Sequence, residues 1–390
     1  RTGKEVADEN LKAAKAQRLP DISASLSGSY WGNGKLWDRD FSNATKIDMP
    51  HWGNNFALEA QLAVYAGGAI SSGIELAELE KQLAEQDWQK NRQDIRFLLV
   101  GHYLNLYKLN NQIEVLHKNL ELTDQIIANM QARLEQGTAL QNDITRYELQ
   151  RETLRLQLAK VEDACKIANH QLVTTLHLPE GTVVQPDTTL NDSQIQTLSE
   201  ASWQELAAQN NLNLQQAETG IKINRQREKL ERSERLPKIS LMAAEHLDGP
   251  ITIEVPVLDN NFNYWFVGVG VKYNISSLFK NNRKLKAARL NVRKAQETYE
   301  LAQEQTNHAV QESYVNFLTS FTDLRTQQKS VDLADENYSV TSNRYQNDLA
   351  LLTDMLDASN MKLSADMGLV NARINVIFNY YKMKYITHTL

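Results

Sequence analysis

The chain repeats itself at long range. Arg18-Leu19-Pro20-Asp21-Ile22-Ser23 returns as Arg235-Leu236-Pro237-Lys238-Ile239-Ser240, and Tyr103, Arg133 and Asp143 return as Tyr314, Arg344 and Asp354. The spacing is about 210 residues, several times the 20–50 residues of a solenoid unit. Each copy is therefore a whole half-protein, and the fold must be assembled from two similar halves.

Each half begins with strands that have two unlike faces. Residues 22–30 alternate Ile, Ala, Leu, Gly and Tyr with an unbroken ladder of serines. This is period 2 over the nine to eleven residues that a tilted strand needs to cross a bilayer. Tyr30, Trp31, Trp37 and Trp52 lie near its end, as in an interfacial aromatic girdle. A second strand is predicted over 54–65, with Phe56, Leu58, Ala60, Leu62 and Val64 on one face and Glu59 and Gln61 on the other. The Gly-, Asn- and Asp-rich segment between the two reads as an exposed loop. The second copy predicts strands at 238–246 and 264–274, joined through Asp248, Gly249, Pro250 and Pro256.

A very long helix follows each strand pair. Residues 71–136 and 282–347 contain no proline, and each would extend about 100 Å at 1.5 Å per residue. Along the second, Leu285, Ala288, Val292, Ala295, Tyr299, Ala302, Thr306, Ala309 and Ser313 are spaced three and four apart, a heptad seam of mostly small residues. Such a seam reconciles a membrane strand with a mean hydropathy of −0.50. Short turns at Gly137-Thr138-Ala139-Leu140 and Asp348-Leu349-Ala350-Leu351 lead into returning helices at 141–176 and 352–385. The organisation read from these elements is a first repeat over 1–176, an irregular linker over 177–200 and a second repeat over 201–390. The opening helix, Glu5 to Gln17, is shorter than its counterpart, which starts near Ser202. The first copy is expected to lack its front end, and no signal peptide is read at Arg1.

Composition narrows the function. A net charge of −6 without a basic stripe argues against nucleic acid. A single cysteine, Cys165, excludes an internal disulfide and reads as a small packed residue. No run approaches the ~20 apolar residues of a spanning helix. The eight histidines show no metal-binding spacing, and no nucleophile or phosphate-binding motif occurs, so no enzyme activity and no cofactor are expected.

Four strands cannot close a barrel, and an open edge cannot face lipid. Other copies must complete the wall. Two would make eight strands, filled by side chains, and three would make twelve, with room for a lumen; the serine face favours three.

The order of elements, given twice, resembles the TolC-like outer membrane efflux proteins. The resemblance rests on the Leu-Pro-x-Ile-Ser strand entries, on Tyr65-Ala66-Gly67-Gly68 before the first long helix, on Arg344-Tyr345, and on Thr353-Asp354-Met355-Leu356-Asp357-Ala358. It implies a membrane α+β fold: a duplicated helix–β-hairpin–long helix–turn–helix protomer, trimeric, with a twelve-strand transmembrane β-barrel continued by a periplasmic α-helical barrel. It implies an exit duct in the bacterial outer membrane, with a periplasmic adaptor, an inner-membrane transporter and outer-membrane lipid as partners. The duct would be passive and gated at its periplasmic tip.

By the same resemblance, Asp354 and Asp357, three apart on one helix face, would line the tunnel constriction. Asp143 and Tyr345 would belong to the tip gate. The family's partner arginine falls on Ala350 here, leaving Arg146 or Arg344 as substitutes. Gly137, Thr138, Ala139, Leu140, Leu349, Ala350 and Leu351 are candidate adaptor contacts. Asn281-Asn282 stands where the second copy would place Gly-Gly, so a looser turn is expected there. Two other readings stay open: the exit duct of a type I protein secretion system, and a soluble coiled-coil scaffold whose strands are incidental.

Overall fold

The computed structural model describes residues 1–187, 195, 197–254 and 257–390. In chain order the elements are α1 (Thr2–Ala16), β1 (Asp21–Tyr30), β2 (Gly34–Leu36), β3 (Thr45–Ile47), β4 (Trp52–Ala66), α2 (Ala69–Glu135) and α3 (Gln141–Leu176). Then come α4 (Glu200–Asn210), α5 (Leu212–Ser233), β5 (Lys238–Gly249), β6 (Phe262–Lys272), α6 (Ser277–Lys280), α7 (Asn282–Gln346) and α8 (Leu352–Ile386). Part of the linker (188–194 and 196) and Pro256 lie outside the described residues. Among those described, no helix is long and apolar enough to cross a membrane.

Two compact units emerge, and neither is one of the repeats. One unit comprises Arg1–Trp88 with Gln216–Glu300, the other Gln89–Gln215 with Leu301–Leu390. Each draws on both copies, because strands and helices of one copy find their partners in the other.

The first unit is built on an antiparallel sheet in the order β1-β4-β5-β6. Its register aligns the alternation of all four strands. Ile22, Ala24, Leu26 and Tyr30 stand opposite Ala60, Leu58, Phe56 and Trp52. The row continues through Leu241, Ala243 and Leu247 to Val269, Val267 and Asn263. This face is apolar and open: Leu26 is 79% exposed, Trp265 74% and Val267 71%. One carboxylate interrupts it. Glu245, between Leu58 and Trp265, accepts a 3.3 Å hydrogen bond from Asn263 Nδ2. The opposite face carries Ser23, Ser25, Ser27, Asn55, Glu59, Gln61, Ser240, His246 and Asp248. A bulge between Ala63 and Tyr65 removes Val64 from the ladder and lets Tyr65 face Ile239. The period-2 expectation had given that side to Val64. The segment read as a loop between β1 and β4 contains a small hairpin, β2 against β3.

Glycine decides how β4 turns into α2. Gly67 has φ 63°, and a Cβ there would lie 2.7 Å from the Ser233 carbonyl oxygen; Gly68 follows at φ 84°. Both conformations lie where an L side chain clashes with its own backbone. The second copy enters α7 differently. Asn281 is right-handed helical (φ −81°, ψ −2°), its N–H donates to Ser277, and its carbonyl accepts from Leu285. The looser turn expected at Asn281-Asn282 is a helical one, which needs no glycine. Around the sheet's helical end, Leu11, Ile74 and Ala77 form the core between α1 and α2. Lys81–Asp8 (2.6 Å), Arg227–Glu80 (3.3 Å) and Arg289–Glu228 (3.2 Å) tie neighbouring helices at their rims.

The second unit is helical. Its cores are short clusters along the helices: Trp203, Ala207, Val310, Phe317 and Met383; Leu106, Leu109, Ala168 and Leu172; Leu104, Ile374 and Ile377; and Ile127, Met130, Ile144, Tyr147, Leu352 and Met355. The α7 seam, whose residues Leu285 to Tyr299 belong to the first unit and Ala302 to Ser313 to the second, is buried or half-buried at every position, as three-four spacing requires of the packed face. Cys165 is half-buried beside Leu106 and Leu109, its thiol donating to Asn110 Oδ1 at 3.4 Å.

The counterpart of α1 is not one helix. Ser199 caps α4, accepting from Ser202 N at 3.2 Å, and Asn211 breaks the run with an extended backbone. Asn211 Oδ1 then accepts from Asn213 N and caps α5. After α3, the described linker lies along its own repeat. Asn169 bonds Thr182 and Val184 (2.8 Å each), and the Tyr103 hydroxyl accepts from Asp187 N at 2.8 Å.

Candidate functional site

The two helix–turn–helix ends in the second unit are the same motif made with different residues. After α2, Gly137 N donates to Leu134 O and Thr138 N to Arg133 O, with Gly137 at φ 75°. After α7, Asp348 N donates to Tyr345 O and Leu349 N to Arg344 O, with Asp348 at φ 61°. Both are Schellman turns, whose left-handed position favours glycine. In the second turn an aspartate occupies it.

That aspartate has a partner that sequence reasoning missed. Arg133, on the last turn of α2, pairs through Nη2 with the Asp348 carboxylate. Its Nη1 donates to Tyr345 O at 3.4 Å, and its guanidinium lies 5.7 Å from the Tyr345 ring centroid. Arg133 thereby joins the end of α2 to the turn between α7 and α8. The signal was present in the sequence: Asp348 aligns with Gly137 in the repeat, so a side chain stands where the other copy has none. Among the described residues neither Arg146 nor Arg344 makes an ion pair. Arg146 is exposed, and Arg344 Nη2 donates at 3.1 Å to Leu349 O within its own turn.

Asp143 and Asp354 hold equivalent places in the first turns of α3 and α8, where negative charge complements the helix dipole. Asp354 Oδ2 accepts from Leu351 N at 3.0 Å, satisfying a donor at the helix start. Asp354 and Asp357 are both exposed on α8, one turn apart, while Met355 and Ala358 between and beyond them are buried. Asp143 is half-buried close to Tyr345. Burial pushes the Tyr345 hydroxyl above its ordinary range, the Asp143 and Asp348 charges add to this, and Arg133 opposes it. Beneath them, Tyr147 is fully buried, and its hydroxyl has no hydrogen-bond partner among the described residues.

Of the candidate contact residues, Gly137 and Thr138 are exposed and Ala139 and Ala350 half-buried. The leucines are open: Leu140 is 68% exposed, Leu349 67% and Leu351 69%. Both turns thus expose apolar side chains.

The family model for outer membrane efflux proteins matches residues 2–176 and 203–378. The chain belongs to the outer membrane efflux protein family. Solved outer membrane channels share the fold of this efflux protein at low identity. VceC from Vibrio cholerae superposes with a TM-score of 0.83 at 16% identity, over 99% of this chain and 91% of that one. CusC, whose structures describe transmembrane channel formation, gives 0.84 at 16% over 98% and 86%. The CmeC channel of Campylobacter jejuni gives 0.79 at 15% over 99% and 81%. A search of curated proteins finds no significant match. Family membership places this efflux protein among channels and transport conduits of the outer membrane.

Proposed function

We propose that three copies of this chain close a twelve-strand barrel in the outer membrane, continued by a periplasmic helical tunnel. The assembly is a passive exit duct that a periplasmic adaptor joins to an inner-membrane transporter. The observation that carries this reading is the sheet. One face is apolar and exposed, the other is polar, and its outer strands β1 and β6 are edges. Lipid cannot satisfy the backbone of an open edge, whereas β6 of one copy can pair with β1 of the next. A membrane duct is favoured over a scaffold role because a soluble scaffold would leave the exposed row from Ile22 to Val271 in water.

In this reading Asp354 and Asp357 form two stacked rings of three carboxylates at the constriction. Arg133, Asp348, Tyr345 and Asp143 set the packing of the turns that open, and Leu140, Leu349 and Leu351 meet the adaptor. Rings of acids select cations and bind multivalent ones. The test is single-channel conductance in a planar bilayer, before and after a trivalent cation is added on the tip side. A small cation-preferring conductance, blocked by the trivalent ion and insensitive to it in Asp354→Ala/Asp357→Ala, is the expected result. A conductance whose block is the same in that variant overturns the constriction. Failure of the protein to insert into bilayers overturns the barrel.

A further inference from the structure

The polar face of the sheet carries aromatic side chains that the serine ladder does not lead one to expect. Phe262, Tyr264 and Phe266 alternate along β6 on the same face as Asp248, His246 and Ala244 of β5. The Phe262 and Tyr264 rings stack at 5.3 Å. His246 lies parallel to Tyr264 at 5.1 Å and to Phe266 at 6.3 Å. Phe262 and Phe266 remain 54% and 46% exposed. Around them on this face stand Asn55, Ala57, Glu59, Met242, Ala244 and Gly268, none of them a large ring.

Two carboxylates flank the ladder. Glu59 Oε1 lies 3.8 Å from His246 Nε2, and Asp248 Oδ2 accepts from the Tyr264 hydroxyl at 3.4 Å. Asp248 also accepts from Asn55 Nδ2. The lysines of this face, Lys238 and Lys272, pair with each other six or more residues along the strands, roughly 20 Å away. The ladder therefore offers π faces and negative charge in one place.

We propose that this ladder is a binding site for planar aromatic monocations, held by stacking on Phe262, Tyr264 and Phe266 and by the charges of Glu59 and Asp248. Flat rings stack on aromatic faces, and a cation is attracted both by their π electrons and by the acids. An anion or an aliphatic solute gains neither. The placement of this face on the aqueous lumen rests on the barrel reading above; the site itself does not.

The test is a fluorescence titration of the detergent-solubilised full chain with ethidium at pH 8. Saturable binding is expected, weakened about tenfold or more in Phe262→Ser/Tyr264→Ser/Phe266→Ser and in Glu59→Gln/Asp248→Asn, which leaves the rings in place. Val267→Ser/Val269→Ser, on the other face of the same strand, is expected to bind like the parent. Unchanged affinity in the acid-neutralised variant overturns the proposal, even if the ring variant fails to assemble. Equal loss in the Val267→Ser/Val269→Ser variant overturns it too. Ladder-dependent binding by a protein that does not insert into bilayers sinks the barrel reading and leaves the site standing; ladder-independent binding by a conducting protein does the reverse.

Discussion

Arg133 and Asp348 join two turns that the repeat makes equivalent, and they do so because the second turn has an aspartate where the first has Gly137. An L residue in the left-handed region is disfavoured by about 1–2 kcal/mol, less for aspartate than for most. The ion pair offsets part of that cost. Asp348 is 76% exposed, so the pair itself contributes at most about 1 kcal/mol.

Asp348→Gly is therefore expected to leave stability nearly unchanged, since it removes the pair and the strain together. Asp348→Ala keeps the strain and loses the pair, and is expected to cost about 1–2 kcal/mol. Amide hydrogen exchange at Leu349 N, which closes the turn, reads the difference locally. Equal protection in the two variants would show that backbone strain plays no part.

Gly67 and Asn281 occupy the entries to the two long helices but obey different rules. Gly67→Ala is expected to destabilise by about 2–3 kcal/mol, because φ 63° and the nearby Ser233 carbonyl both exclude a Cβ. Asn281→Gly gains nothing and is expected to cost up to about 1 kcal/mol, because its backbone is already right-handed helical. Thermal unfolding of the two variants in the same detergent checks the order.

Asp354 has a structural task besides any role in conduction. Asp354→Ala loses the acceptor for Leu351 N and is expected to cost about 1 kcal/mol, whereas Asp354→Asn keeps an acceptor and removes the charge. The Asn variant should match the parent in stability while weakening block by the trivalent ion, the Asp357 ring being left in place. If Asp354→Asn is as unstable as Asp354→Ala, the charge itself holds the start of α8.

Two carboxylates give opposite pH dependences. Hydrogen bonds and charge from Lys81 and Lys12 lower Asp8 from the ordinary 3.8 to about 2. Its folded form binds its proton less readily than the unfolded chain. The stability it contributes is complete above the ordinary value and is lost as pH falls from about 4 through about 2. Asp366 is raised, chiefly by burial, with Asp335 adding and Lys362 and Lys118 opposing. Its folded form holds the proton longer, so stability falls as pH rises through its folded value. Asp366→Asn is expected to raise the unfolding temperature near neutral pH and to lose that advantage below about pH 4, while Asp8→Asn lowers it near neutral pH. Melting curves across pH 2–8 decide both signs.

Much of the protomer could be read locally. The serine alternation of residues 22–30 lies in β1, and the proline-free runs lie in α2 and α7. The three-four seam of α7 is its packed face. Signals of this kind depend on residues a few positions apart, so a single chain displays them. The small β2–β3 hairpin was hidden by its short strands, and the α4–α5 break by the absence of proline or glycine at Asn211. At the helix ends, the repeat paired Asp143 with Asp354, and the family resemblance pointed to Asp143, Tyr345 and Asp354. Neither pointed to Arg133 as the partner, because the choice among Arg133, Arg146 and Arg344 turns on which helix packs beside the turn.

The sequence by itself determined the kinds and order of the principal strands and long helices and the two-faced character of the strands, because periodicity sets which side chains share a face. Only the tertiary structure decided that β4 pairs with β5 across the two copies, that Val64 bulges out of register, and that Arg133 meets Asp348. It also placed His246 against the rings of β6. The physical reason is chain separation: these contacts join residues tens to hundreds of positions apart, and which of them form depends on how the elements pack together.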